Sequence, residues 1–529
     1  MSNRNYNVFF NLHTVSGITI SIALYVIFFA GAFALFKNEI KAWEEGTALS
    51  HTQIKDVDFD KILNKLDEQY ELIGRDLYLI LAEDTDKIFV RLGASKSTLA
   101  TKKGKIAQYF YIDIHTGEKK TYKEQYSLGE FLYRLHFFNQ LPYGIYLSGF
   151  VSLFFLFAII TGVIIHWKKI ISNFFSFNPK VILKRVWADA HTALGVIGLP
   201  FQFIFAVTGT YFAISIFVFM PINFLYQGNT KAFREDIRPE LKNYPWLANS
   251  DKSIASVNTF AQKTTQQWDD FHLNRLYIKN YRGTNMKYIF IGQLNTDKRF
   301  IGFGRTVYDS STKSFQIEKD PNKLNYMEDV QRLVSRLHFA NFGGLFLKAS
   351  YFILALISCF VILTGVLIWT EARNRKNMSL KKRRFTAKVG HIYIATCLSL
   401  LPVTALAFLF VKLSNGYFSN KQSAIYYFFF SIWLLFILFF RFKRDNYYTN
   451  KICLLLGAIF GFSIPICNGI VSANWFWVSF KNNQNAILVI DILWMLLASL
   501  SLISYIKIKS NIKTRSSFSK HPIEYPSKT

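Results

Sequence analysis

Acidic residues are scarce in this 529-residue sequence: 34 Asp and Glu stand against 62 Lys and Arg, a formal charge of +28. In a soluble protein such an excess points to nucleic acid. Here the basic residues cluster beside long apolar runs, so no nucleic-acid partner is expected and the charge reads as a topology signal. Cysteine is equally sparse. Cys359, Cys397, Cys453 and Cys467 all lie inside apolar stretches, and none forms a CxxC pair. No disulfide framework, zinc site or iron–sulfur cluster is therefore expected. No Gly-rich phosphate loop is evident. A cleavable signal peptide is not expected either. The first apolar run is too long for an h-region and no small-residue cleavage site follows it, so it reads as an anchor.

What the sequence has in abundance is apolar surface: 51% of residues are hydrophobic and 17% aromatic. A spanning helix needs roughly 20 apolar residues. Candidates lie within Val8–Phe36 and at about Tyr143–Trp167, Ala190–Met220, Ala349–Thr370, Val389–Val411, Ser423–Phe440, Ile452–Ala473 and Ala486–Ile506. The last carries Asp491 within it. Lys and Arg crowd the loops after the second, fourth and sixth candidates and the tail after the eighth. With eight spans these loops share one side, so both termini are expected in the cytoplasm. Segments 37–140 and about 222–340 are then outside.

Both outer segments read as small α+β units. In the first, Val57–Tyr70 has helical periodicity, and Leu77–Ala82, Lys87–Leu92 and Ala107–Ile114 read as strands. In the second, Ile254–Trp268 reads as a helix, and Arg275–Lys279, Lys287–Ile291 and Thr306–Tyr308 as strands.

The two halves repeat each other. His13-Thr14-Val15-Ser16-Gly17 opens the first span and His191-Thr192-Ala193-Leu194-Gly195 the third. Ala30-Gly31 and Thr208-Gly209 follow at the same distance. Arg134-Leu135-His136-Phe137 precedes the second span and Arg336-Leu337-His338-Phe339 the fourth, while Thr161-Gly162 and Thr364-Gly365 lie near their ends. The unit is helix, outer domain, helix. Two copies with two crossings each are related by an axis along the membrane normal.

Six of the ten His lie at or near helix ends: His13, His136, His166, His191, His338 and His391. Any one of them alone reads equally well as a satisfied interfacial side chain. The repeat pairs His13 with His191 and His136 with His338. Two His from facing helices, without Cys and with few acids, suit bis-imidazole ligation of b-type haem, with two haems expected, one near each face. Zinc more often shows extra Cys, Asp or Glu ligands. His166 and His391 are alternatives for the inner pair. Gly17, Gly31, Gly195 and Gly209 read as small residues allowing close approach of a helix or a flat macrocycle. Arg134 and Arg336 stand where they would meet propionates, or else anchor the interface. Phe137, Phe138, Tyr143, Phe339 and Phe342 read as an outer mouth or an aromatic belt. His51, His115, His272 and His521 are assigned no role.

These residues resemble the PepSY-associated transmembrane family, which includes iron-regulated inner-membrane proteins and ferric-siderophore reductases. The resemblance rests on the HTxxG starts, the RLHF and TG motifs, and Asp113-Ile114-His115-Thr116-Gly117-Glu118, which is similar to the turn of a PepSY domain. Asp309-Ser310-Ser311-Thr312-Lys313 is a degraded form of that turn. The resemblance covers about residues 8–375. It implies an α-helical inner-membrane protein with a first span at 1–43, PepSY-like periplasmic domains at 44–135 and 221–335, and spans at 136–220 and 336–375; the apolar runs and loop charges add a further bundle of four at 376–506 and a basic cytoplasmic tail at 507–529. It also implies an oxidoreductase that binds haem b and reduces a ferric siderophore at the periplasmic face. Some relatives carry a flavin reductase domain; the tail after Ile506 is too short for one, so a quinol or a separate cytoplasmic reductase is the expected donor. Two other readings stay open. One is a siderophore or iron permease, which requires a discontinuous helix and finds a hint in Pro200. The other is a non-catalytic scaffold that binds peptide.

Overall fold

A computed structural model of the chain describes residues 2–49, 57–81, 86–170, 172, 183–218, 224, 226–295, 300–375 and 377–508. The basic tail expected at 507–529 lies outside the described residues from 509 onward, as do His51, Lys180, Met220, Lys376 and His521. The chain divides into two compact units. One comprises Met1–Ala48, Ser127–Ile214 and everything from Ala349 onward; the other comprises Leu49–Tyr126 and Ser215–Lys348.

The first unit is helical. Between Arg4 and Lys37 the chain carries no Asp, Glu, Lys or Arg, and this run forms α1 (Asn3–Ala34). A bilayer leaves such a segment no way to satisfy its backbone polar groups except as a helix. The amphipathic α2 (Lys37–Glu45) follows at its end and is closed by Gly46 in the left-handed conformation. α3 (Phe59–Gln69) belongs to the other unit. The short α4 (Leu128–His136) starts from the Ser127 cap and leads to α5 (Gly144–His166). α5 packs on α1, with Phe28 and Phe155 meeting edge to face at 5.4 Å.

α6 (Leu183–Ile197) and α7 (Leu199–Val218) together make the third expected span, but they meet at a 70° bend. The repeat places Ile20 and Ile22 of α1 where Gly198 and Pro200 stand here. Pro200 has no N–H to offer the carbonyl of Val196, and Gly198 holds its neighbours weakly to helical geometry. α1 therefore runs straight where its repeat partner breaks. α8 (Thr230–Ile237), α9 (Val257–Thr265) and α10 (Tyr326–Phe339) belong to the other unit, and α11 (Gly344–Arg373) leads back into the first. The last helices are α12 (Leu380–Leu398), α13 (Leu400–Leu413), α14 (Lys421–Lys443), α15 (Asn446–Ser472), α16 (Phe476–Lys481) and α17 (Asn485–Lys507). Among the described residues seven helices are long and apolar enough to span, counting α12 with α13 as one, or eight if the bent pair is a single span. The chain is a multi-pass helical membrane protein.

The second unit holds one antiparallel sheet in the order β4-β3-β2-β1-β5-β6-β7-β8. The strands are β1 (Leu77–Leu81), β2 (Lys87–Leu92), β3 (Gln108–Asp113), β4 (Lys119–Lys120), β5 (Phe271–Lys279), β6 (Lys287–Leu294), β7 (Phe303–Asp309) and β8 (Ser314–Lys319). The first four come from one outer segment and the last four from the other. They join where β1 pairs with β5, Tyr78 opposite Tyr277 and Ile80 opposite Arg275. The edge strand of each α+β segment is thereby covered by the other.

α3 and α9 pack on one face of this sheet, over a core that includes Leu63, Leu79, Val90, Leu276 and Phe290. Their N-termini cap each other. Asn258 Oδ1 accepts from the N–H of Phe59 at 2.8 Å, and Asp60 Oδ1 accepts from the N–H of Val257 at 2.7 Å. The PepSY-like turn forms as its sequence requires. Asp113 Oδ1 accepts from the N–H groups of His115 and Thr116, and Gly117 takes φ +67°. The degraded copy keeps the geometry: Asp309 Oδ1 accepts from the N–H of Ser311, and Lys313 takes φ +54° without the freedom of glycine.

Candidate functional site: a repeated histidine–carbonyl contact

His13 projects from α1 and His191 from α6. The Nδ1 of His13 lies 2.9 Å from the carbonyl oxygen of Ala158 in α5, and that of His191 lies 2.9 Å from the carbonyl oxygen of Val361 in α11. Thr364 Oγ1 is a further neighbour of the His191 ring at 3.3 Å. A carbonyl only accepts, so in both rings Nδ1 carries the proton. The neutral imidazole then keeps its lone pair on Nε2.

Each carbonyl is reachable because of a glycine. Helical side chains lean toward the N-terminus and cover the preceding turn. Four residues after Ala158 stands Gly162, and four after Val361 stands Gly365. A Cβ at either position would come within 3.2 Å of the facing imidazole Cε1. His136 repeats the pattern. Its Nδ1 lies 2.7 Å from the carbonyl oxygen of Ile27 in α1, and a Cβ at Gly31, four residues on, would stand 2.6 Å from that nitrogen. Thr161-Gly162, Thr364-Gly365 and Ala30-Gly31 are thus sockets for histidines, whereas a Cβ at Gly209 would instead meet Ser152 Oγ at 2.8 Å.

The rings of His13 and His191 face each other with centroids 6.2 Å apart and planes at 78°. Two imidazoles bound on opposite sides of one ion, each at about 2 Å, have ring centres roughly 6 Å apart. Proton-bearing Nδ1 atoms held by carbonyls are the usual second layer behind a metal-ligating histidine, because they fix the ring and raise its basicity. A Cβ at Gly17 or Gly195, one turn beyond each His, would meet no atom of the described residues within 4 Å. These two glycines therefore do not mediate close helix packing; they leave room beside the rings. His166, at the end of α5, lies within electrostatic reach of both His13 and His191. Among the described residues no group of three or more His, Cys, Asp or Glu is placed to hold a bare metal ion. The pair fits a group that brings its own equatorial ligands, as haem does.

The other expected site residues are placed as follows. His391 has a partner in the appended bundle, Asn446 Oδ1 at 2.8 Å. His136 belongs to the membrane unit and His338 to the sheet unit, so neither unit contains both. Arg134 donates to Glu130 Oε1 at 2.7 Å and to Asn139 Oδ1 at 3.2 Å. Arg336 donates to the carbonyls of Phe300 and Asn341. Tyr143 is exposed, and Phe342 packs edge-on against Phe300 at 4.6 Å.

A second buried polar group was not anticipated as a unit. Trp43 Nε1 donates to Asp491 Oδ1 at 2.8 Å, Asn468 Nδ2 donates to Asp491 Oδ2 at 2.9 Å, and Lys412 Nζ donates to the Trp43 carbonyl at 2.5 Å. All four residues are at most 1% exposed. Beside them Glu44 pairs with Lys421 at 2.7 Å and accepts from the N–H of Leu128. Burial pushes the Glu44 carboxyl up, and Lys421 opposes it. The cluster pins α2 to α13, α15 and α17. Ionisable residues in apolar helices were its only sequence signal.

A helical membrane unit built from two like halves, joined to a sheet of two like halves, defines a duplicated membrane protein with an extramembrane α+β module. A family model described as the PepSY-associated TM region matches residues 10–372, and the chain belongs to that family. None of the curated proteins compared matches the chain.

Proposed function

We propose that this protein is an inner-membrane oxidoreductase that holds haem b and delivers electrons to the iron of a ferric siderophore on the periplasmic side. The observation that carries the reading is the repeated socket, in which a His is oriented by a carbonyl that a Gly leaves uncovered. His13 and His191 would hold one haem, each through Nε2. His136, oriented by the carbonyl of Ile27, would be a ligand to a second. Haem, when bound, supplies a one-electron carrier whose potential is set by axial ligands and burial. The chain's own contribution is orientation: the carbonyls of Ala158 and Val361 keep both rings in one tautomer and one rotamer. Iron(II) is held more weakly than iron(III) by hard oxygen ligands, so one-electron reduction releases the metal. The donor is a quinol or a separate cytoplasmic reductase. Lys- and Arg-rich loops orient the sheet unit toward the periplasm.

The test is the visible spectrum of the purified full-length protein and of its His13→Ala and His191→Ala variants. The wild type should show a low-spin b-type α-band on reduction, reoxidised by ferric chelate with ferrous iron released. Each variant should lose one haem. A wild type without haem, or variants with unchanged content and spectra, overturns the reading.

One observation favours a carrier instead: the 70° break between α6 and α7 at Gly198 and Pro200. Broken helices line substrate paths in many transporters. Uptake of radiolabelled iron chelate into proteoliposomes without a reductant would establish that alternative.

A further inference from the structure

The sheet has two faces. One is covered by α3 and α9; the other carries aligned rows of side chains. Tyr109, Arg91, Tyr78 and Tyr277 stand opposite one another across β3, β2, β1 and β5, and Tyr111, Phe89, Ile80 and Arg275 form the next row. Alternation along each strand puts both rows on the face away from α3 and α9. On the β5–β7 half this face is closed: Tyr277, Ile289, Ile291, Phe303 and Val307 are buried as a second core. On the β1–β3 half it is open. Tyr109 is 63% exposed, Arg91 is exposed, and Tyr78, Phe89 and Tyr111 are half-buried. The rings contact one another, with Phe89 edge-on to Tyr111 at 5.3 Å and Tyr78 edge-on to Tyr277 at 4.8 Å.

The charges on this side are unequal. The acids are engaged. Asp76 takes Lys96 at 2.9 Å and also faces Lys279; Glu240, Glu318 and Glu328 surround Arg305. Asp113 is held in its turn. Three guanidinium groups are left. Among the described residues Arg91, Arg275 and Arg332 make no ion pair or side-chain hydrogen bond. Arg91 lies over the Tyr78 ring at 5.7 Å, and Arg332 of α10 over the Phe303 ring at 3.4 Å. Burial and then the nearby Arg275 push the Arg332 guanidinium down to about 10. Aromatic surface edged by unpaired Arg complements an anion that carries flat aromatic rings.

We propose that the open face of the sheet, formed by Tyr78, Phe89, Tyr109 and Tyr111 with Arg91 and Arg275, binds an anionic, aromatic iron chelate of the tris-catecholate class. Its deprotonated phenolic oxygens outweigh the ferric charge, and its rings stack on the tyrosines. This rests on the ferric-chelate reading above and sharpens its substrate class. Neutral tris-hydroxamates lack both features.

Full-length protein in detergent micelles is dialysed to equilibrium, without reductant, against radiolabelled ferric tris-catecholate or a neutral ferric tris-hydroxamate. The catecholate should bind more tightly and weaken with salt. The double change Arg91→Gln with Arg275→Gln should weaken it about tenfold, flatten the salt dependence and leave the hydroxamate unchanged. Tyr109→Ala, at an exposed position, should show the same selective loss if the double variant does not fold. Equal binding of the two chelates overturns the proposal. So does unchanged catecholate binding in the variants, including the case where they lose only attachment to anionic vesicles. Dialysis involves no electron transfer. Lost binding selectivity with intact reoxidation of the reduced protein sinks the site alone, and intact selectivity without reoxidation sinks the reductase reading alone.

Discussion

A single hydrogen atom at Gly162, Gly365 and Gly31 is what opens a helix carbonyl to a histidine of another helix. The three positions differ in how much room they leave. A methyl group at Gly162 or Gly365 meets an imidazole carbon at 3.2 Å, which a small ring shift relieves; at Gly31 it meets at 2.6 Å the Nδ1 of His136, the atom that makes the hydrogen bond. Gly162→Ala and Gly365→Ala should therefore weaken haem retention about tenfold, the usual effect of disturbing the groups behind a metal ligand. Gly31→Ala should expel His136 from its carbonyl and, on the reading proposed above, abolish any haem that His136 holds. Haem titration of the apoprotein, read at the α-band, ranks the three. Equal retention in all of them would detach the glycines from ligand orientation. The sequence shows the His and Gly motifs and their duplication. It does not show which His meets which Gly, because that pairing is set by helix neighbours and not by spacing along the chain. In the motif Gly17 and Gly195 read as allowing close approach of a helix or a flat macrocycle; among the described residues a Cβ at either meets no neighbouring helix within 4 Å.

At the scale of elements, α2 is the piece whose importance the sequence hides. It is short and charged, and its apolar content is low. Yet Trp43 is fully buried and bridges Asp491 and Lys412, and Asn474 Nδ2 donates to the carbonyl of Gly46 at its end. The appended helices α12–α17 lie outside the residues that match the family model. They hold α2, and with it the end of α1 that carries Ile27 and Gly31. Trp43→Phe keeps the ring contacts with Phe408 but leaves Asp491 Oδ1 without its donor. A buried carboxylate deprived of a hydrogen bond costs about 1–3 kcal/mol. The variant should melt several degrees lower in micelles, and Asp491→Asn in the same background should recover part of the loss. An unchanged melting temperature for Trp43→Phe would show that the contact contributes nothing. The break between α6 and α7 belongs at this scale too. Pro200 marks it in the sequence, but its 70° angle depends on the pairing with Gly198 two residues before.

For the whole molecule, the expected pattern of spans and loops follows from apolar run lengths and from Lys and Arg beside them. The multi-pass helical architecture agrees with it. Side assignment is a separate matter, and reporter fusions decide it. Fusions at Ser50 and Ser250 should report the periplasm and one at Asn377 the cytoplasm; a cytoplasmic signal at Ser50 inverts the scheme. The α+β content of each outer segment was also legible, strand by strand. That the two segments complete one sheet was not. Period-two alternation identifies a strand and its faces, but β1 and β5 carry no mark naming each other as neighbours.

That shared sheet has a consequence for how the chain is made. Synthesis runs from the N-terminus, so β1–β4 leave the ribosome well before β5 exists. Between them α4 to α9 must be produced, with α5 and the bent pair seated in the bilayer. Throughout that interval the β1 edge from Leu77 to Ile80 has no partner. An unpaired edge is a template for any passing strand, including the same strand of a neighbouring nascent chain. The duplication that gives the mature protein one continuous sheet therefore gives the unfinished one a period of exposure. A ribosome stalled between the two halves releases a product whose β1 edge is permanently open to aggregation.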